Sequence, residues 1–264
     1  EVGEAVITVN NNLKNLDPSQ LETITEQAIN LEQVFGSDMN ESMRGVNALM
    51  VNFGLDAQTA MDYIVTGTQN GLDKTQELGD NLSEYSGKFE QAGYSAEEYF
   101  QLLQNGLEGG AYNLDKVNDF VKEFGISLSD GRIEDNIDSF SAGTKNLFAQ
   151  WKAGKATTKD VFRSVINDLA NAKNQQEALT TASNTWSSLG EDNAMKVITS
   201  LNEVNENYEN VQGTMEEIQD IKYDTLESRI ASLGKTFQTE VAVPIAEKAL
   251  PAIESGLDLV IDNM

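Results

Sequence analysis

Proline is the residue that most constrains this chain, because it is almost missing: the three prolines stand at 18, 244 and 251. Each interior proline removes a helix donor and clashes with the preceding turn, so a proline-free stretch from Ser19 to Val243 leaves helices unbroken over most of the length. Apolar residues recur through that stretch at the spacing of one helix face. Leu21, Ile24, Ala28, Leu31 and Phe35 form one stripe, closed by Gly36, and Asp17-Pro18 starts it as N-cap and first helical residue. Met43, Val46, Leu49, Met50 and Phe53 form the next, closed by Gly54. Asp56 caps a short helix carrying Ala60, Met61, Ile64 and Val65, and Leu78, Leu82, Tyr85 and Phe89 mark another. Ser95 and Glu98 have capping-box spacing ahead of Tyr99, Leu102, Leu103 and Leu107. Asn113 opens a helix with Val117, Phe120, Val121 and Phe124, and Gly125 stands where a left-handed C-terminal cap is expected. Residues 5–9 are rich in β-branched side chains, so a helix or one short strand fits them.

The expected fold is therefore all-α: an array of helix–loop–helix units followed by a long C-terminal helix with a kink at Pro244. Residues 54–86 align with 93–125 without a gap at an offset of 39, matching Gly54 to Gly93, Gly67 to Gly106 and Gly71 to Gly110. Glycines matched along with the stripe point to two copies of one unit. The expected organisation is a helical subdomain over 1–125, a loose connection over 126–141 holding the turn signal Asp130-Gly131, a second helical subdomain over 142–211, and the long helix over 212–264. In the second subdomain Thr157 or Thr158 caps a helix with Val161, Phe162, Val165, Ile166 and Leu169. In the last segment Leu226, Ile230, Leu233, Phe237 and Val241 step by four, three, four and four, a narrow seam suited to packing on another helix, in this chain or a second copy. The chain begins with Glu1, and its last stripe reaches Met264 without a cap, so it reads as a piece of something longer.

Composition narrows the chemistry. There is no cysteine and no histidine, which removes thiolate nucleophiles, the usual neutral-pH base and the commonest metal ligands. Carboxylate neighbours such as Glu97/Glu98 and Glu216/Glu217 point in different directions on a helix, unlike a glycosidase pair across a cleft. Asp115, Val117 and Asp119 begin a calcium-loop spacing, but Phe120 takes the glycine place and Ile126 that of the last glutamate. Gly154-Lys155 lacks the first glycine and the Ser/Thr of a phosphate loop. The chain reads as non-enzymatic, with no cofactor and no metal.

The 43 acidic against 18 basic residues give a formal net charge of −25, which opposes stable binding to nucleic acid or anionic membranes. No apolar run approaches the ~20 residues of a membrane span, and residues 1–10 lack the basic start of a signal peptide. Against this background Lys145, Lys152, Lys155, Lys159 and Arg163, with Trp151 among them, form a basic patch. It reads either as a docking site for an acidic partner or as internal neutralisation of residues 191–227, which carry ten acidic and two basic groups.

Several strings resemble one family. Arg44-Gly45-Val46-Asn47-Ala48-Leu49-Met50 with Phe53-Gly54-Leu55 is similar to tape-measure proteins of long-tailed phages and prophages of Gram-positive bacteria. So are Gly67-Thr68-Gln69-Asn70-Gly71-Leu72-Asp73, Asn113-Leu114-Asp115-Lys116-Val117, Val121-Lys122-Glu123-Phe124-Gly125, and Gly213-Thr214-Met215-Glu216 with Ile221-Lys222-Tyr223-Asp224. The likeness thins at 133–141 and 184–188. It implies an internal or N-terminal-half fragment of a protein that fills the tail lumen, sets tail length and is expelled ahead of the DNA. The implied partners are tail-tube subunits, tail-tip proteins and tail assembly chaperones. The implied location is the virion tail, and the host bacterial cytoplasm during assembly. No catalytic residue is carried over. The competing readings are a helical interaction module of a surface or secreted protein and, more remotely, a carboxylate-based cell-wall hydrolase.

The seam can be tested directly. Leu233→Asp places an unpaired carboxylate on the expected apolar contact, at a cost of several kcal/mol as an order of magnitude. The variant should melt lower or lose mass in solution; unchanged melting and mass would show the seam to be exposed.

Overall fold

The computed structural model describes residues 2–14, 16–187, 194–203 and 206–218. Among them are twelve α-helices, one 3-10 turn and no strand. The helices are α1 (Val2–Asn12), α2 (Pro18–Phe35), α3 (Met39–Phe53), α4 (Ala57–Gln69), α5 (Leu78–Ala92), α6 (Ala96–Glu108), α7 (Leu114–Ser129), α8 (Arg132–Asp135), α9 (Ala142–Lys152), α10 (Thr158–Ala170), α11 (Gln175–Trp186) and α12 (Ala194–Ser200). Residues 214–218 form one more helical turn. The all-α class is as expected. The seam at 226–241 and the kink at Pro244 lie outside the described residues.

The helix starts follow the capping residues. Asp17 accepts hydrogen bonds from the amides of Ser19 and Gln20, and Gln20 reaches back to the Asp17 amide. Ser95 and Thr157 cap α6 and α10 with the same reciprocal pair, and Asp56 and Asn113 cap α4 and α7 by accepting from the Thr59 and Lys116 amides. Gly54 and Gly93 end α3 and α5 at φ 69° and 94°, a left-handed backbone that costs glycine nothing.

One alternative left open by the sequence is decided, and one expectation needs correction. Residues 5–9 are not a strand: they lie inside α1, where Val6, Val9 and Leu13 are buried and Ile7 is 55% exposed. A strand would have put Ile7 on the same face as Ala5 and Val9, so burial at helical spacing decides against it. Gly125 does not cap α7. The helix runs through it to Ser129, because continuing buries Ser127 and Leu128, and the left-handed turn comes at Gly131, φ 96°. Residues 126–141 hold the end of α7, α8 and the 3-10 turn, and bury Ile133 and Phe140.

Packing places alternate helices side by side. In one layer α3 and α5 run parallel: Gly45 and the Glu41 carbonyl lie against Gly79, and Asn52 donates to Ser86 at 2.7 Å. Next, α5 meets α7 through Asn81, which donates to Asp115 and accepts from Asn118. In the other layer Gln27 of α2 donates to Gln58 of α4. There too Tyr63 of α4 packs on Phe100 of α6 at 5.1 Å. The N-caps Asp17, Asp56 and Ser95 recur at an offset of 39, and so do the closing glycines Gly54 and Gly93. Helices α4 and α6 begin and end at that same offset, whereas α7 begins three residues earlier than the offset from α5 would place it.

Beyond α7 the core continues around Trp186. Its indole N–H donates to the Phe120 carbonyl at 2.8 Å, and its ring contacts Phe120, Phe124 and Phe162. The chain then folds back across α4 and α6. Asn105 donates to the Glu203 carbonyl, Tyr208 donates to Gln104 at 3.1 Å, and Thr66 donates to Thr214 at 3.1 Å. Asp62, 1% exposed, accepts from the backbone amides of Gly213 at 3.0 Å and Met215 at 2.9 Å. A helical residue of α4 thus supplies the N-terminal cap for the turn at 214–218.

Asp62→Ala leaves both amides without that acceptor, at ~1–3 kcal/mol for each buried group left unsatisfied. The variant should melt lower and exchange the Gly213 and Met215 amides faster. Wild-type melting with wild-type protection would mean the clasp contributes nothing.

Candidate docking surfaces

The basic patch lies on α9, α10 and the turn between them, and most of its charge is already paired within the chain. Lys145 reaches Asp138 at 2.9 Å, Lys152 reaches Glu134 at 2.6 Å, and Lys159 and Arg163 both reach Glu98, at 2.9 and 3.3 Å. Lys152 also lies over the Phe148 ring, and Lys159 over that of Tyr94. Lys155 is exposed and has no acidic partner among the described residues. Trp151 stacks on Phe148 at 5.8 Å and donates to the Thr158 hydroxyl at 3.3 Å, so its ring organises the turn into α10. Among the described residues, the acids that pair with the patch are Glu98, Glu134 and Asp138. The helical spacing of Lys159 and Arg163, one turn apart, was visible in the sequence; their shared acceptor on α6 was not.

Glu98 is the most engaged carboxylate of the group. Burial works to raise its pKa, yet the Ser95 amide, the Lys159 ammonium and the Arg163 guanidinium outweigh it and hold the carboxyl below the usual range. It therefore stays ionised and serves as a structural acceptor, the opposite of a general acid. Its neighbour Glu97 accepts from Gln101 of the next turn. Glu216 and Glu217 are both exposed. Among the described residues no group of three or more acidic side chains has metal-holding geometry, and no helix is long and apolar enough to cross a membrane.

What the described residues show is a stack of helices whose basic groups serve largely in ion pairs between elements. A family model, phage-related minor tail protein, matches residues 1–242. The chain belongs to that family. Its role is therefore structural, in a phage tail, and the membership points away from an enzyme. No curated protein and no solved structure matches the chain.

The Glu98 cluster gives a pH-dependent prediction. A carboxyl lowered in the folded state contributes stability above its unfolded pKa, 4.5, and loses it as pH falls through the folded value. Glu98→Gln keeps the capping geometry and removes the charge, so it should cost about 0.5–1 kcal/mol at neutral pH. The gap to wild type should close below that range in acid denaturant melts. A gap that persists in acid would show that the charge is not what Glu98 contributes.

Proposed function

We propose that this chain is part of a tape-measure protein, which occupies the tail-tube lumen during assembly, sets tail length by its own length and leaves before the DNA. The observation that carries the reading is the even step of the helical array: N-caps at Asp17, Asp56 and Ser95, one per 39 residues. A ruler needs a length proportional to residue number, and repeated helical units supply it. The net charge of −25 adds support, since an acidic filler is repelled by the phosphates that follow it through the same tube. The partners that fit this role are tail-tube and tail-tip subunits and assembly chaperones.

Deleting residues 54–92 in the phage tests it. The deletion keeps the phase between matched caps, and at ~1.5 Å per helical residue an extended ruler should give tails shorter by about 60 Å in electron micrographs. Tails of normal length would sink the ruler role while leaving the tail membership intact. Because the deletion removes Asp62, full-length Asp62→Ala is the control. If that variant assembles tails and the deletion does not, assembly needs this unit for something other than length.

A further inference from the structure

The chain that returns across the stack meets α4 and α6 at matched places. The two helices begin and end at one offset, so Asp62 corresponds to Gln101 and Thr66 to Asn105. Thr66 donates to Thr214 and Asn105 to the Glu203 carbonyl, so this position faces the returning segment on both helices. At the other position the helices differ. Asp62 accepts two backbone amides, those of Gly213 and Met215. Gln101 instead lines a cavity of about 270 Å³ bounded by α6, α10 and residues 201–203.

Two side chains give that cavity its chemistry. Among the described residues three buried side-chain polar atoms have no hydrogen-bond partner, and two of the three, Tyr94 Oη and Asn202 Oδ1, belong to residues lining it. The Asn202 amide is fixed in orientation: its nitrogen donates to the Arg163 carbonyl at 2.8 Å, and a carbonyl can only accept, so the oxygen is the atom left over. Tyr94 is 5% exposed, and burial pushes its hydroxyl pKa up, so it keeps its proton and can donate. A buried polar group without a partner costs ~1–3 kcal/mol. The fold thus holds one unpaired donor and one unpaired acceptor around a single cavity.

Charge narrows what can meet them. Arg163 stands close enough for its charge to act on the Tyr94 hydroxyl, which disfavours a cation there. Glu98 and Glu203 line the same cavity, which disfavours an anion. The neutral group that donates and accepts side by side is a carboxamide. Amide donors are also what the matched position on α4 already binds.

We propose that this cavity is a socket for an asparagine or glutamine side chain of a partner protein, its NH2 donating to Asn202 Oδ1 and its oxygen accepting from the Tyr94 hydroxyl.

The probe is N-acetylglutamine methylamide, titrated against the whole chain by NMR beside its glutamate and lysine counterparts. The glutamine compound should bind, the two charged ones at least tenfold more weakly, and the signals it shifts should include Tyr94, Gln101 and Asn202. Tyr94→Phe removes one oxygen that has no partner in the fold, so melting should stay equal or rise while glutamine binding falls by about fivefold. Binding of none of the three, equal binding of all three, glutamine binding untouched by Tyr94→Phe, or shifts confined to other parts of the chain would overturn the proposal. Should Tyr94→Phe melt lower than wild type, the location of the shifts and the preference among the three compounds decide alone. Lower melting with unchanged binding would mean that the hydroxyl is held by an ordered water only, and would refute the socket. A dimer in solution that Tyr94→Phe dissociates would give the site to a second copy of this chain and overturn the heterotypic reading.

Discussion

The backbone contact between α3 and α5 sets the geometry of the stack. Helices normally pack 8–10 Å apart because side chains stand between them. At Gly45 and Gly79 no side chain intervenes, and a Cβ on Gly79 would fall 2.5 Å from the Glu41 carbonyl group. The close approach lets Asn52 reach Ser86 and Arg44 reach Asp80 along the same face. Between α5 and α7 the joint is different: a buried amide bridge, Asn81 to Asn118, takes the place of glycine contact. Such a bridge fixes register through satisfied hydrogen bonds but holds the helices farther apart.

The clasp over α4 and α6 works on a different scale. Asp62 binds amides about 150 positions later, and Gln104 meets Tyr208 over a separation of more than 100 residues. Contacts so distant in sequence form only after long loops close, so they depend on the stack being assembled first. They combine hydrogen bonds, each worth ~1 kcal/mol net, with the burial of Tyr208, Val211, Met215 and Ile218, Tyr208 packing on Phe100 at 5.4 Å.

Local chemistry was legible in the sequence and distant pairing was not. The caps at Asp17, Asp56, Ser95, Asn113 and Thr157 depend on residues within one turn, and each stands where composition pointed. Gly125 misled because a glycine after an apolar stripe has the pattern of a helix end, while the burial of Leu128 that carries α7 onward depends on tertiary contacts. The spacing of Asp17 from Asp56 is hidden in the sequence for a different reason. Helix α2 is five residues longer than α4, 18 against 13, so the stripes do not align although the caps do. The seam from Leu226 to Val241 remains a reading of sequence alone.

The basic residues explain how so acidic a chain folds. Opposite charge is scarce, and the structure spends it where backbone elements meet: Arg132 joins Glu123 to Asp130 at the end of α7, and Lys159 with Arg163 ties α10 to α6 through Glu98. Partly buried pairs are screened less by salt than exposed ones, so these junctions keep their attraction where the surface acids lose their mutual repulsion. The chain is therefore cohesive at its joints and anionic over its surface. The scarce cations thus hold elements together, and the field left over the surface is negative.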